Sequence, residues 1–478
     1  MTLFQQFSGV AHEAGARDAV LEVDSGRKTS YRALLRETNR RAEGLVSSGV
    51  RPGDRVGIEL HNRLEGLYSM LAVWRCGAVV VPLVPTQSRR ERTTFLEHSG
   101  AVLQMGADSE DRAVGGAPRR KAIEVEVDPG DTALILYTSG TTGAPKGVEL
   151  THANLCTSAE RIGARYAFGP ATRFLGVLPL YHGHGLVVTC LAPLLAGGTV
   201  VLDRPFDAFA AARFWKSVDR FGITAFSSVP PLLRLLVQLT EPRALHSESP
   251  LRFGLCASAP LSEALRSDFE ERFQCRVGNS YGMTETSSWC AYGAPEPDCR
   301  LSGSVGSPAD GTIRILEPSP GGVSEGPVGE IAVRSPCVMK GYYRDARATA
   351  EVFEGEWFRT GDLGFLEGGE LFLSGRLRDV INRSGATIFP DEVDRLLRDH
   401  PGVADAATVA RPSEAEGEIP VSFVVLDPGV GMSLVELERY LRRELAPYKV
   451  PADLIELDHL PVGATGKVDK KALRARTT

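Results

Sequence analysis

The sequence contains no pair of cysteines in a CxxC arrangement, although it has eight cysteines in 478 residues. Such scattered spacing argues against a structural zinc site and against a compact disulfide framework. No apolar run reaches the length of a membrane span, and the first residues lack a basic segment followed by a long apolar stretch. We therefore expect a cytoplasmic protein that does not act on a membrane.

Positive charge is not in excess either. The chain has 54 Lys and Arg against 60 Asp and Glu, a formal net charge of −6, so nothing favours nucleic acid as a partner. The length exceeds what one hydrophobic core usually serves, which predicts at least two domains. Short apolar strands alternate with helical patterns, for example a strand at residues 56–60 and a helix at 67–76. That alternation predicts an α/β protein with layered sheets.

The most informative stretch is residues 134–148, which read LILYTSGTTGAPKGV. Residues 134–137 are apolar and predict a buried parallel strand. Glycines after the strand let the backbone turn sharply and bring N–H groups close to an anion, and a lysine adds a positive charge. The loop therefore predicts polyphosphate binding. Its candidate residues are Thr138, Ser139, Gly140, Thr141, Thr142, Gly143 and Lys146.

Two alternatives compete with this interpretation. In a Walker A loop, G-x-x-x-x-G-K-[ST], the second glycine and the hydroxyl residue would stand where this chain has Pro145 and Gly147. A plain surface turn would not need a strand, glycines, hydroxyls and a lysine together. The run TSGTTGAPKG instead resembles the phosphate loop of the adenylate-forming superfamily, which includes acyl-CoA synthetases, luciferases and peptide-synthetase adenylation domains.

The resemblance extends over residues 29–473, with the motifs in family order. It implies a large N-terminal domain of layered α/β subdomains plus a β subdomain, followed by a small mobile α+β lid. The run NSYGMTE at 279–285 is similar to the family's YGxTE motif. By resemblance, Asn279, Tyr281 and Gly282 contact the nucleotide, Thr284 reaches a phosphate, and Glu285 holds Mg²⁺.

Three later motifs complete the expected nucleotide site. Asp362 in the run TGD resembles the aspartate that accepts both ribose hydroxyls, although a turn-capping aspartate is an equal alternative without the other motifs. Arg376 is expected to contact ribose or phosphate, and Arg378 occupies the hinge position, where relatives have lysine or aspartate. We place the domain boundary there, giving a core at 1–377 and a lid at 378–478, with lid helices at 391–400 and 434–445 and strands at 403–410 and 421–426.

Lys467 lies in a glycine turn, where an arbitrary lysine is usually just solvated. Here it resembles the family's catalytic lysine, which bridges the carboxylate and the α-phosphate while negative charge builds.

The acid-binding side is predicted from the run LPLYHGHGL at 178–186. His182 and His184 lack the further ligands of a metal site. By resemblance, His182 lies beside the carboxylate that is activated, and the absence of an aspartate nearby makes an α-amino acid substrate less expected. Pocket candidates are Phe226, Ser228, Ala257, Ser258 and Ala259, together with residues 287–292. Trp289 and Cys290 suggest an aromatic or medium-length acid.

Residues 226–231 predict a strand that breaks into a turn, and 154–166 and 206–221 predict helices.

The resemblance implies ATP-dependent activation of a small-molecule carboxylic acid. The expected products are an acyl-adenylate and pyrophosphate, and then a thioester with coenzyme A, so that ATP, Mg²⁺ and coenzyme A are the expected cofactors. The first alternative is a stand-alone adenylating enzyme that loads a carrier-protein pantetheine or another nucleophile. The second is a nucleotide-binding protein without catalysis, against which the presence of Lys146, Glu285, Asp362, Arg376 and Lys467 argues.

Overall fold

The computed structural model describes residues 1–106, 125–138, 146–243, 249–296, 300–309, 311–316, 328–427, 429–462 and 468–477. These residues form a mixed α/β protein that divides into two compact units. The first unit comprises Met1–Ser258, Asp268–Cys299 and Arg334–Glu356, and the second comprises Ala259–Ser267, Arg300–Val333 and Trp357–Thr478. None of the described helices combines the length and the apolar character needed to cross a membrane.

Many helices begin where a side chain accepts a hydrogen bond from an otherwise unpaired backbone N–H group. Thr2, Ser30, Ser88, Thr151 and Asp207 each cap a helix in this way. In chain order the helices are α1 (Leu3–Ala14), α2 (Tyr31–Ser47), α3 (Leu64–Arg75), α4 (Arg89–Ser99), α5 (His152–Arg165), α6 (Ala192–Leu195), α7 (Ala208–Phe221), α8 (Pro230–Leu239), α9 (Glu263–Phe273), α10 (Ala346–Val352), α11 (Pro390–Asp399), α12 (Leu434–Glu444) and α13 (Lys470–Arg474).

A π-helix lies at His184–Leu191, and short 3₁₀ helices lie at Thr284–Thr286, Leu377–Asp379 and Pro447–Lys449. The strands are β1 (Asp18–Glu22), β2 (Lys28–Ser30), β3 (Arg55–Glu59), β4 (Val79–Leu83), β5 (Leu103–Met105), β6 (Thr132–Thr138), β7 (Lys146–Thr151), β8 (Arg173–Gly176), β9 (Thr199–Leu202), β10 (Ala225–Ser228), β11 (Phe253–Cys256), β12 (Val277–Asn279), β13 (Tyr281–Met283), β14 (Ser288–Tyr292), β15 (Ser307–Pro308), β16 (Ile313–Ile315), β17 (Gly329–Val333), β18 (Gly341–Tyr342), β19 (Phe353–Glu354), β20 (Trp357–Glu367), β21 (Glu370–Arg376), β22 (Ile381–Arg383), β23 (Ala386–Ile388), β24 (Val403–Ser413), β25 (Gly417–Leu426) and β26 (Asp453–Glu456).

The first sheet of the first unit has the strand order β12-β11-β10-β8-β9-β1-β2 in the described residues. All neighbours are parallel except the β1–β2 pair. Strands β9, β10 and β11 are buried along their whole length, as expected when layers cover both faces. Because parallel strands end at the same edge, the loops after β10, β11 and β12 can share one site.

The second sheet of the first unit has the order β18-β7-β6-β4-β3-β5. Strand β6 was predicted to be a parallel strand, and it does run parallel to its neighbour β4. Its other neighbour, β7, is antiparallel, with Thr138 opposite Lys146, so the prediction is wrong on that side. The chain returns directly beside β6 because Gly147 has no side chain. A Cβ atom there would lie 2.9 Å from Cγ2 of Ile135, so the hydroxyl residue that a Walker A loop needs does not fit.

The predicted turn after β10 is wrong, because α8 begins at Pro230. Proline suits the first turn of a helix, where its missing N–H group would have had no intrahelical partner. The helices predicted at 154–166 and 206–221 are confirmed as α5 and α7, each within two residues at its start.

In the second unit, β17 pairs with β16 and with β20, and β20 pairs with β21, all antiparallel. The C-terminal part is built on the antiparallel pair β24–β25, against which α11 and α12 pack. The predicted lid helices and strands are confirmed, and both strands are longer than predicted. Val393 and Leu397 of α11 are fully buried, and Leu396 packs at the edge of the same cluster.

Candidate active site

Both ends of the predicted phosphate loop are fixed by strand pairing. Thr138 ends β6 and lies opposite Lys146, the first residue of β7. The Thr138 Oγ1 atom is 3.5 Å from the Lys146 carbonyl oxygen. The intervening candidates, Ser139, Gly140, Thr141, Thr142 and Gly143, lie outside the described residues.

Lys146 and Glu285 meet around one tyrosine. The Lys146 ammonium lies 4.7 Å from the ring centroid of Tyr342, and the Tyr342 hydroxyl donates a 3.0 Å hydrogen bond to Oε1 of Glu285. All three side chains are half-buried. The structure thus brings the predicted phosphate-binding lysine and the predicted magnesium ligand into one neighbourhood, around a residue to which the sequence analysis gave no role.

The backbone after Glu285 turns sharply. Ser287 and Ser288 have positive φ angles of 55° and 116°, a conformation that non-glycine residues adopt only at a cost. The Ser287 hydroxyl donates to the Cys337 carbonyl at 2.7 Å, which holds the turn. On the facing strand, a Cβ atom at Gly282 would lie 1.8 Å from the Ser288 carbonyl oxygen, so only glycine fits. The strained turn therefore fixes where Glu285 stands.

The other residues of the YGxTE motif follow directly on β12. Asn279 ends that strand, Tyr281 and Gly282 lie on β13, and Thr284 opens the short 3₁₀ helix that carries Glu285. Asn279 and Tyr281 are both buried. The predicted nucleotide residues of this motif are therefore grouped beyond the carboxyl end of a parallel strand, the usual place for ligands in such sheets.

His184 is the centre of a second polar cluster. Its ring nitrogens lie 2.9 Å (Nδ1) from Oγ of Ser258 and 2.6 Å (Nε2) from Oγ of Ser227. The Trp289 ring packs edge-on at 5.1 Å between centroids. Desolvation, with a smaller contribution from His182, lowers the pKa of His184 to about 3. The ring is therefore neutral near pH 7, with one nitrogen donating and the other accepting.

His182, the histidine favoured from the sequence, contacts the Tyr181 ring at 5.4 Å between centroids. Its backbone N–H donates to the Pro179 carbonyl at 3.1 Å, just before the π-helix begins. Within the described ranges no three or more His, Cys, Asp or Glu side chains gather as a metal site would require.

The pocket candidates on β10 point away from His184. The Phe226 ring packs between Phe214 and Phe269, with centroid distances of 5.1 and 6.4 Å, and the Ser228 hydroxyl donates to the Leu255 carbonyl at 2.8 Å. Side chains alternate along a strand, so Ser227 is the residue that faces His184. Sequence reasoning missed Ser227 and His184, although the alternation would have indicated Ser227 once Phe226 was assigned to the core.

The candidates after β11 differ in exposure. Ala257 is buried, whereas Ser258 is exposed and has a φ of 73°, again a strained conformation for a residue with a side chain. Ala259 belongs to the second unit.

In the second unit, Asp362 and Arg376 are direct cross-strand partners on β20 and β21. The Arg376 Nε atom lies 3.1 Å from Oδ1 of Asp362, whose side chain is mostly buried. The turn before Asp362 is held by Gly361, whose φ is 72° and whose N–H donates to Glu330. The two predicted ribose-side residues are therefore adjacent and oppositely charged.

Arg378 lies in the 3₁₀ helix that follows β21, where burial and the nearby Arg376 lower its pKa. Asp379 beside it accepts a 2.6 Å hydrogen bond from Arg474 of α13. Lys467 lies outside the described residues. Val462 and Val468, the nearest described residues before and after it, form an antiparallel bridge.

Comparison with known proteins explains this arrangement. Residues 7–343 match the family model of the AMP-binding enzyme, and residues 392–467 match that of the AMP-binding enzyme C-terminal domain. The chain belongs to the AMP-binding enzyme family. The predicted resemblance to the adenylate-forming superfamily is thereby confirmed.

Similar proteins cover nearly the full length of this AMP-binding enzyme. The sulfoacetate–CoA ligase of Cupriavidus necator is 34% identical over 95% of this chain and 94% of its own. A feruloyl-CoA synthase of Amycolatopsis is 34% identical over 94% of both chains. The o-succinylbenzoate CoA synthetase of Bacillus subtilis, solved with its acyl-adenylate intermediate, has a TM-score of 0.87 and 31% identity, covering 99% of this chain and 98% of its own. These matches confirm the predicted α/β fold with a large N-terminal and a smaller C-terminal domain.

Proposed function

We propose that this AMP-binding enzyme activates a small-molecule carboxylic acid with ATP, releases pyrophosphate, and transfers the acyl group from the adenylate to coenzyme A. Both family domains are present, and relatives named CoA ligases or synthetases match over more than nine-tenths of the chain. The observation that carries the proposal is the meeting of Lys146 and Glu285 around Tyr342, at the end of the strand that leads into the phosphate loop.

The residues present fit a magnesium–ATP complex. Mg²⁺ prefers oxygen ligands, and Glu285 supplies a carboxylate beside the hydroxyl of Thr284. Lys146 supplies a point charge for phosphate oxygens, together with the loop residues Ser139, Gly140, Thr141, Thr142 and Gly143. Bound Mg²⁺ would neutralise phosphate charge as pyrophosphate departs.

In the second unit, Asp362 is proposed to accept the ribose hydroxyls. The ion pair with Arg376 supports this role, because a cation beside the carboxylate holds its orientation. We further propose that residues 1–377 form the core and 378–478 the lid, with Arg378 at the hinge and Lys467 bridging the carboxylate and the α-phosphate. The contact between Asp379 and Arg474 supports this assignment, since it ties the hinge segment to the helix that follows the lysine loop.

On the acid-binding side, we propose that His182 lies near the carboxylate and that His184 orders the exposed hydroxyl of Ser258. Trp289 adds an aromatic surface, which supports the predicted aromatic or medium-length acid. Phe226, Ser228, Ala257 and Ala259 are still proposed as pocket residues, with Phe226 and Ser228 acting through the packing of β10 and not by facing His184. A neutral histidine with two serines gives hydrogen bonds without a net charge, which suits the uncharged part of an acid better than a second ionised group.

A cytoplasmic location is also proposed. The cysteines of the described ranges are free thiols in buried positions, which suits a reducing compartment.

The test is pyrophosphate release from ATP over a panel of aromatic, aliphatic, short dicarboxylic, sulfonated and amino acids, each with and without coenzyme A. We expect release with a restricted group of acids and a thioester, detected by mass spectrometry, only when coenzyme A is present. A thioester on an added carrier protein but not on coenzyme A would favour the alternative acceptor. Absence of release with every acid would contradict adenylation. The matched variant Lys467→Ala is expected to lose release while its ATP affinity is retained.

A further inference from the structure

We propose that Tyr342 is a positioning residue that keeps Lys146 and Glu285 from pairing with each other and presents both to magnesium–ATP. The inference rests on the proposed function, since it takes the triphosphate and Mg²⁺ as the ligands. It assigns a role to the tyrosine of β18, which neither the phosphate-loop motif nor the YGxTE motif contains.

The first support is how the two charges are held. In the described part of the chain the Lys146 ammonium forms no ion pair, and its polar contact is the face of the Tyr342 ring at 4.7 Å. A lysine over an aromatic face is held by the ring's negative face without losing its charge. The hydroxyl of the same ring donates to Glu285 at 3.0 Å. One side chain therefore orients a cation and a carboxylate while separating them.

The second support is that the tyrosine itself is fixed from both sides. Tyr342 pairs with Val148 of β7, the strand that begins at Lys146. The N–H of Met339, just before β18, donates to the Glu285 carbonyl at 2.8 Å. The Tyr342 N–H donates to Oγ1 of Thr349 at 2.9 Å. The segment is thus bonded to the backbone of Glu285 and to the strand that begins at Lys146.

Two substitutions separate the two contacts. Tyr342→Phe removes the hydroxyl that Glu285 accepts and keeps the ring under Lys146. Tyr342→Leu removes both. Tyr343→Phe is the matched control, because the Tyr343 hydroxyl donates to the Ser99 carbonyl and its ring packs on the apolar cluster of Val79, Val81 and Ile135.

The measurement is calorimetric binding of ATP to the full chain, without Mg²⁺ and across a Mg²⁺ titration, alongside the melting temperature. For Tyr342→Phe we expect the Mg²⁺ concentration at half-maximal effect to rise about tenfold, as for the loss of a group that orients a metal ligand. Metal-free ATP affinity should stay within about twofold of wild type, because the cation–π contact is kept. For Tyr342→Leu metal-free ATP affinity should also fall, by about fivefold. Tyr343→Phe should change neither.

A double-mutant cycle tests whether Tyr342 acts through the lysine. Once Lys146→Met has lowered metal-free ATP affinity, adding Tyr342→Leu should cause no further loss. Unchanged Mg²⁺ dependence in Tyr342→Phe, or additive losses in the cycle, would overturn the inference. Failure of the wild-type protein to bind ATP would instead contradict the proposed function, so the two failures are distinguishable.

Discussion

Lys146 and Lys470 meet carboxylates in opposite ways, each within its own unit. Lys470 pairs directly with Asp391 at 3.1 Å and Asp394 at 3.3 Å, and the Asp394 side chain is only 1% exposed. Lys146 instead lies on a tyrosine whose hydroxyl engages Glu285. Two buried charges that neutralise each other stabilise the fold, because separating them would leave each charge buried without a partner. Charges held apart by a neutral ring remain available to a ligand.

The comparison predicts its largest effect in the second unit. Lys470→Met should lower the free energy of unfolding by about 3 kcal/mol, because among the described residues it leaves Arg398, at 3.7 Å, as the cation paired with the buried Asp394. The measurement is urea unfolding followed by a probe in the C-terminal part of the chain. Adding Asp394→Asn to Lys470→Met should recover part of the loss, since the uncompensated charge is then gone. A loss below about 0.5 kcal/mol, the usual range for surface changes, would mean that this pair is not structural.

Glu285→Gln should lower activity and leave stability nearly unchanged, whereas Lys470→Met is expected to lower stability. The amide keeps the size of the side chain and still accepts the Tyr342 hydrogen bond, so the melting temperature should change little. Pyrophosphate release should fall by about a hundredfold, comparable to the removal of one electrostatic contact to a transition state. The measurement is the rate of pyrophosphate release as a function of Mg²⁺ concentration. If Glu285→Gln lowered the melting temperature as well as the rate of pyrophosphate release, the proposal that Glu285 serves the ligand and not the fold would be contradicted.

His184 extends the comparison to a cluster without charge. His184→Asn should raise the KM for the acid by about tenfold, because Ser258 loses a hydrogen-bond partner at the proposed pocket. The KM for ATP should be unaffected. His400→Asn, which changes a histidine packed on Tyr440 in the second unit, is the control for a general effect of the substitution. A parallel rise in the KM for ATP would place His184 on the nucleotide side instead.

The last prediction concerns the pH dependence of stability. Desolvation lowers the pKa of His152 to about 4 and that of His184 to about 3, from an ordinary value of 6.5. Below pH 6.5 the unfolded chain therefore binds more protons than the folded chain. The free energy of unfolding therefore keeps its full value above pH 6.5. It decreases below pH 6.5 by up to about 1.4 kcal/mol per pH unit for each histidine.

Urea midpoints between pH 7.5 and 5.0 test this prediction, with His184→Asn as the variant that should show a smaller decrease. Most carboxylates contribute little in that range, because their ordinary pKa values lie below it. Burial raises the pKa values of Asp203, Asp394 and Asp399, but these groups are common to the wild type and the variant, so the difference between the two reports on His184. If the urea midpoint of His184→Asn fell as steeply as that of the wild type, His184 would be protonated in the folded protein, contrary to the prediction.

Local patterns allowed much of this molecule to be predicted. The strand, glycines, hydroxyls and lysine of residues 134–146 are contiguous in the sequence, so polyphosphate binding could be predicted from these residues themselves. The role of Glu285 was predicted instead from the resemblance of residues 279–285 to a motif of the family. The turn predicted after Ser228 failed because proline can open a helix as well as break one. The antiparallel return of β7 depends on Gly147 fitting against Ile135, a contact that no local pattern encodes.

Tyr342 could not be predicted as a partner of Lys146. The two residues are far apart in the sequence and are joined only by the pairing of β18 with β7. His184 was passed over for His182 for a similar reason: its partners Ser227 and Ser258 come from two other strand ends, and the π-helix that positions it has no sequence signature.

The pairing of β18 with β7 has a consequence for insertions and deletions. Tyr342 faces the charged residues and Tyr343 faces the apolar cluster of Val79, Val81 and Ile135, so neighbouring tyrosines serve opposite sides of one short strand. A shift of pairing by one residue exchanges the two sides. Loss of a single codon in the segment just before Gly341 would therefore exchange the sides that the two tyrosines face and disturb both the core and the nucleotide site, although Lys146, Glu285 and both tyrosines would still be present.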